Sequence, residues 1–218
     1  VSRGSWIATA VAMLLFFAVL MFHHTHRMPA IALLALIIVG GTYLVPRDAI
    51  FMSRVKGLES ANGNIPNNGR FLIWHAALQL WHENPWFGIG PAHFGYRFGK
   101  YRPEVVQKSP DRAHNDYVNT LTDYGIVGIA LILATVLVVF GCAIWTWRFV
   151  RGSPNTLGDH RSNKLALVLG ASIGLIAILV HSFMDFNMHI PANALIAVTL
   201  MALLTSYARF ATERFWFT

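Results

Sequence analysis

"DRAHNDYVNTLTDYGIVGIALIL", residues 111–133, passes without a break from charged and amide side chains into a long apolar run. The run continues as far as Trp147, and apolar helix of about 20 residues is what crosses a bilayer core of about 30 Å. Four other apolar stretches, 6–22, 29–45, 165–183 and 191–210, approach the same length. The first two are short and depend on a thinner bilayer or on neighbouring helices. Composition points the same way. The 218 residues are 55% hydrophobic and 12% charged, with a mean hydropathy of +0.49, too apolar for a water-soluble domain of this size. The expectation is an all-α, polytopic bundle of about five transmembrane helices. It forms one integral membrane domain over 1–218, with a large outer loop at 46–123 that contains interfacial helices.

The first stretch lacks a small-residue cleavage site and is followed by His23, His24 and His26, so it reads as a retained helix rather than a signal peptide. The chain opens with Val and runs directly into "SRGSW", which suggests the C-terminal part of a longer protein. Cys142 is the single cysteine and lies inside the third apolar stretch, so cysteine carries no redox information. The net charge of +7 comes from basic residues set between apolar spans, without a nucleic-acid motif. Its partners are therefore read as anionic lipid or a lipid phosphate, with no nucleic acid. Arg148, Arg151, Arg161 and Lys164 fill one short connection, and Arg209 and Arg214 the tail. By the positive-inside rule those ends are cytoplasmic, which puts 46–123 and the 184–190 turn outside.

Membrane spans need links of only a few residues, so the 46–123 loop needs its own reason to exist. Its first third is rich in Gly, Asn and Ser and reads as irregular chain. Asn67 or Asn68 then caps a helix, "GRFLIWHAALQLWHEN", that must stop before Pro85. Arg70, Trp74, Ala77 and Trp81 share one face of it, which suggests a helix on the membrane surface anchored by tryptophans. Arg70 alone reads as an interfacial charge for lipid head groups. The next stretch, "NPWFGIGPAHFGYRFGKYRPE", matches a dinucleotide loop only superficially, because His93 stands where the third glycine is required. A tight aromatic turn with close backbone packing is the better reading.

Ser109 or Asp111 would cap the following helix and place His114 in or near its first turn. The positive end of a helix disfavours a protonated imidazole, so His114 could serve as a general base, or simply as an interfacial histidine bonded to a neighbour. His181, Asp185 and His189 form either a metal site or, as we prefer, a hydrogen-bonded turn between spans. The histidines at 23–26 read as interfacial. Gly170 and Gly174 have small-xxx-small spacing, a packing signal. Arg97, Lys100, Arg102, Lys108 and Arg112 could gather phosphates or acidic sugars, or form a solvated basic face.

The chain resembles the O-antigen ligase and O-antigen polymerase superfamily. That family's pattern is His; Asn, Ser or Gln; nine residues; Gly; two residues; and Gly, Thr or Tyr. It is met by His114, Asn115, the nine residues 116–124, Gly125 and Gly128. Arg70 and Trp74 ahead of "NPWFGIGPAHF", and Arg3 in "SRG", extend the resemblance over nearly the whole chain, as the C-terminal half of a typical member. The resemblance implies a GT-C-like membrane glycosyltransferase of the bacterial inner (cytoplasmic) membrane, with 46–123 as its periplasmic loop. It implies transfer from an undecaprenyl-diphosphate-linked glycan donor to lipid A core, another glycan or a protein. It places Arg70 and Arg3 at the diphosphate and His114 at the acceptor, with Asn115, Arg112 and Trp74 in support. No cofactor and no metal are expected, because fixed arginines can stabilise the leaving diphosphate and no Asp-x-Asp pair is present. A transporter and a noncatalytic scaffold are the competing classes. Few charges lie inside the apolar stretches, which favours an interfacial enzyme over transport.

Overall fold

A computed structural model of the chain describes residues 3–21, 27–44, 68–104, 106, 109–152 and 158–210. The histidines at 23–26, the irregular stretch 46–67 and Lys108 lie outside the described residues. The elements in order are α1 (Arg3–Met21), α2 (Arg27–Leu44), α3 (Asn68–Glu83), α4 (Phe94–Phe98), α5 (Asp116–Gly152), α6 (Gly158–His181), a 3-10 turn (Asn187–His189) and α7 (Pro191–Phe210). Among the described residues there is no strand, so the all-α expectation is met. Each of the five apolar stretches becomes one helix. Two of them, Gly4–Met21 in α1 and Asp116–Phe149 in α5, are long and apolar enough to cross a membrane. The apolar parts of the others, Arg27–Tyr43, Leu165–His181 and Pro191–Ser206, are shorter.

The sequence forms these helices because Leu, Ala, Ile and Val recur with few breakers, and packing decides which face turns inward. Small residues mark the contacts. Val139 and Ala143 of α5, Val168, Ala171 and Leu175 of α6, and Ala197 and Leu204 of α7 make one buried core. Gly174 stands against Leu200 of α7, whereas Gly170 faces open space, so only half of the small-residue pair packs a helix. Outside, the surface is apolar rather than charged. Leu36 of α2, Leu131, Leu137 and Val138 of α5, and Leu195 of α7 are all exposed. Exposed apolar side chains in this number suit a lipid environment.

A second core lies in the connection between α2 and α5. Ala76, Ala77 and Leu80 of α3 pack on Phe94 and Phe98 of α4 and on Ala113, with Trp74 and Val118 beside them. The two tryptophans that the face pattern singled out both make hydrogen bonds within the protein. Trp74 Nε1 donates to the Ala113 carbonyl at 2.8 Å and Trp81 Nε1 to the Pro85 carbonyl at 3.0 Å. Trp74 packs against the loop core, Trp81 bonds locally at the end of the helix, and Phe71 is exposed.

Candidate functional site at the mouth of the long helix

The helix begins at Asp116, later than expected. Asn115 is its cap: Oδ1 accepts the backbone N–H groups of Tyr117 at 2.9 Å and Val118 at 3.2 Å. Neither Ser109 nor Asp111 serves, since Ser109 Oγ turns to the Gly95 carbonyl at 3.3 Å and the helix has not yet started. His114 thus stands one residue before the cap, near the first turn rather than in it. Its backbone is left-handed, with φ 51. A non-glycine residue held there costs roughly 1–3 kcal/mol and persists only where the surroundings enforce it. They do so on both sides. The Ala113 N–H donates to buried Asn119 Oδ1 at 3.1 Å, Trp74 holds the Ala113 carbonyl, and Asn115 is fixed by capping.

The far end of the short helix explains the motif's nine-residue spacing. Residues 116–124 form a capped segment that stops at Gly125, where φ 66 and ψ −164 break the helix. The break leaves carbonyls and N–H groups without helical partners, and the glycine loop supplies them. Ile89 and Gly90 donate to the carbonyls of Thr122 (2.9 Å) and Asp123 (3.0 Å), while Ile126 and Val127 donate to Pro85 (2.9 Å) and Trp86 (3.1 Å). Gly88 and Gly90 also take positive φ, and a side chain on Gly88 would strike the backbone of Thr122 and Asp123. This is the close aromatic turn that the sequence suggested.

The His114 ring stacks edge to face on Phe186, with centroids 5.2 Å apart. Its Nδ1 is buried, lacks a hydrogen bond and lies 3.7 Å from Asp185 Oδ1. The side chain is 37% exposed, so the rest of the ring faces outward. Arg70 arrives at the same turn from α3, donating from one guanidinium nitrogen to the Met184 carbonyl at 2.7 Å. The helix α1 begins there too, because a side chain on Gly4 would meet Met184 and His181. The Arg3 backbone is therefore close to this turn, and its side chain lies outside what is described.

The connection from Ser182 to Ile190, which the sequence offered as either a metal site or a hydrogen-bonded turn, gathers these groups. Its hydrogen bonds tie it to the start of α5. The Asp116 N–H donates to the Ser182 carbonyl at 2.9 Å, and Asp116 Oδ2 accepts the Met188 N–H at 2.9 Å. His189 Nδ1 donates to Asp116 Oδ1 at 2.7 Å, and Asn119 Nδ2 bridges Asp123 Oδ2 at 2.7 Å and His189 Nε2 at 3.4 Å. Asp116, Asn119 and Asp123 were missed as site residues, and Asp185 was singled out only as part of a metal site or a turn, not as a partner of His114. The i, i+3, i+7 spacing of the first three was a usable signal for one buried polar face.

Other expected groups are engaged elsewhere. Glu83 pairs with Lys100 at 2.7 Å and with Arg97 at 3.5 Å. The Lys100 bond lowers the Glu83 carboxyl below its ordinary value and raises the Lys100 amine. Arg102 is exposed, and Arg112 is half-buried, close enough to Asp123 for its charge to act there. Among the described residues no three His, Cys, Asp or Glu side chains converge as metal ligands.

A sequence-family model described as O-antigen ligase matches residues 1–133, which include Arg70, His114 and the Gly125 break. The turn bearing Asp185 lies beyond the matched residues. No curated protein matches the chain.

Proposed function

The chain belongs to the O-antigen ligase family, and on that premise we propose that it transfers a glycan from undecaprenyl diphosphate to an acceptor at the periplasmic face of the bacterial inner membrane. The observation that carries this reading is the meeting of His114, Asp185 and Arg70 at one turn beside the mouth of an apolar helix. A lipid-linked diphosphate sits at head-group depth, where such a mouth lies.

Arg70 has five N–H donors and gives one nitrogen to Met184, so the rest of its fork is available to phosphate oxygens. Arg3 is assigned the same role from the backbone position of α1. Negative charge grows on the diphosphate as the anomeric C–O bond breaks, and fixed cations stabilise it without a metal. His114 takes the proton of the acceptor hydroxyl on Nε2 as that oxygen forms the new bond to the anomeric carbon. Asp185 closes on Nδ1–H to orient the ring and stabilise the imidazolium; such bonds are often long before substrate binds. Attack from the face opposite the leaving group inverts the anomeric configuration. Asn115, Trp74 and Asn119 hold the backbone on either side of the base, and the GT-C-like membrane helices carry it to the head-group layer. Ligase and polymerase chemistry share this step and differ in whether lipid A core, a lipid-linked repeat or a protein accepts the glycan.

The test uses membranes containing the full-length protein and a glycan-loaded undecaprenyl diphosphate, scoring carrier release. His114→Ala is expected to lower the rate by about 10²–10⁴-fold, the usual worth of a positioned base. EDTA is expected to leave the wild type active. Equal release by wild type and a well-inserted His114→Ala protein would make the histidine structural. Absence of release by both, with acceptors present, favours the transporter or scaffold.

A further inference from the structure

The turn between α3 and α4, "NPWFGIGPA" at residues 84–92, holds no charged side chain. Trp86 is 62% exposed and Phe87 76%, whereas Trp74 and Trp81 just before them are hydrogen-bonded to protein. Adjacent large aromatics kept outside a folded core mark an interaction surface. The turn that presents them is fixed. Gly88 donates its N–H to the Asn84 carbonyl at 2.8 Å, and the Pro85 carbonyl accepts both the Trp81 indole (3.0 Å) and the Ile126 N–H (2.9 Å). The Trp86 carbonyl accepts the Val127 N–H at 3.1 Å. Backbone groups that would be costly in an apolar medium are thus already paired, while the two rings stay exposed.

The same bonds set the height of the turn on α5. Asp123 and Arg148 bracket a stretch, 126–147, without a charge. At about 1.5 Å per residue it rises roughly 33 Å, close to a hydrocarbon core of about 30 Å. Ile126 and Val127 therefore stand at one edge of the core when α5 crosses, and the turn bonded to them stands there too. Val127, Leu131 and Val138 are exposed and share one face of α5, which the turn continues. At the opposite edge α5 has Trp145 and Trp147, the aromatic belt that holds a span at its depth. At this edge α5 itself supplies Tyr124, and Trp86 and Phe87 complete the belt from the turn. The charges of the loop core gather elsewhere, where Glu83 pairs with Lys100 and Arg97. A charged macromolecule would find its complement there and none on the aromatic turn.

We infer that the Trp86–Phe87 turn is a membrane anchor, its rings seated at the boundary between acyl chains and head groups in the leaflet on the site's side. The inference needs α5 to cross the bilayer and is independent of glycan transfer. Because the turn follows directly on α3, seating it fixes the end of the helix that carries Arg70 against the bilayer surface.

The experiment reconstitutes the full-length wild-type protein in nanodiscs containing a phosphatidylcholine with a diazirine near the head-group end of its acyl chain. After photolysis, crosslinks are expected in the peptide bearing Trp86 and Phe87 and not in the peptide bearing Tyr96. A second measurement places a nitroxide at Phe87→Cys, Leu131→Cys or Tyr96→Cys, with the native cysteines replaced by serine. The Phe87 and Leu131 labels should collide preferentially with oxygen, which dissolves among acyl chains, and the Tyr96 label with a water-soluble nickel chelate. A Phe87 label as open to the chelate as the Tyr96 label puts the turn in water, and one closed to both reagents puts it under protein. Either result overturns the inference, as does a wild-type turn peptide without crosslinks. The wild-type arm decides the matter if Phe87→Cys fails to insert. A Leu131 label that prefers the chelate shows that α5 does not cross, and removes the anchor with its premise.

Discussion

His114 is an uncommon residue for a left-handed position, and its neighbours explain why it stays there. Asn119 and Trp74 hold Ala113 by its two backbone groups, and Asn115 caps the helix behind it. His114, the base we propose, stands out in the sequence because its motif is local. The pairing of Asp185 with it does not, since only folding brings a residue of the α6–α7 turn to 3.7 Å from His114. The cap was misread for a related reason: Ser109, Asp111 and Asn115 are all acceptable caps by residue type, and tertiary bonds at Ala113 select the last of them. Asp185→Asn removes the charge that stabilises the imidazolium while preserving size, so kcat should fall and the donor KM should hold. Arg70→Lys keeps a charge but loses the planar fork, so it should raise the donor KM instead. Steady-state kinetics on both variants separate the roles, and a KM effect confined to Asp185→Asn would mean that the carboxylate serves binding rather than the base.

At the scale of elements, the break at Gly125 couples the outer loop to the membrane helix. The apolar run was easily read, yet the break inside it was not, because nothing in residues 111–133 shows that the Pro85–Gly90 loop supplies its hydrogen bonds. Gly125 combines φ 66 with ψ −164, a region essentially confined to glycine, and an added Cβ would collide with the backbone of Trp86 and Phe87. Gly125→Ala should therefore destabilise the protein by about 2–4 kcal/mol, combining backbone strain with overpacking. Gly141 lies in the same helix with open space around it. Its replacement by alanine should stabilise by about 0.5–1 kcal/mol, the ordinary preference of a helix interior. Thermal unfolding in detergent compares the two, and equal effects would show that the break is not what ties the loop to the helix.

For the whole molecule, the contacts set which helix ends share a side. Gly4 at the start of α1 meets His181 and Met184, and the Asp116 N–H meets Ser182. The starts of α1, α5 and α7 and the end of α6 therefore gather at the site, and the opposite ends of those helices lie away from it. The end of α5 carries Arg148 and leads into the basic connection, and the positive-inside rule is the ground for our proposal that the far side is cytoplasmic and the site side periplasmic. Five crossings would follow if the shorter helices α2, α6 and α7 also span, an arrangement that suits their exposed apolar faces. Cysteine labelling tests the orientation directly. In a Cys142→Ser background, Tyr96→Cys, on the outer loop and 90% exposed, should react with a membrane-impermeant maleimide in intact spheroplasts. Arg148→Cys should react only after permeabilisation. The reverse pattern would put His114 and Arg70 on the cytoplasmic side and exclude transfer at the periplasmic face, whatever the fate of the site's chemistry.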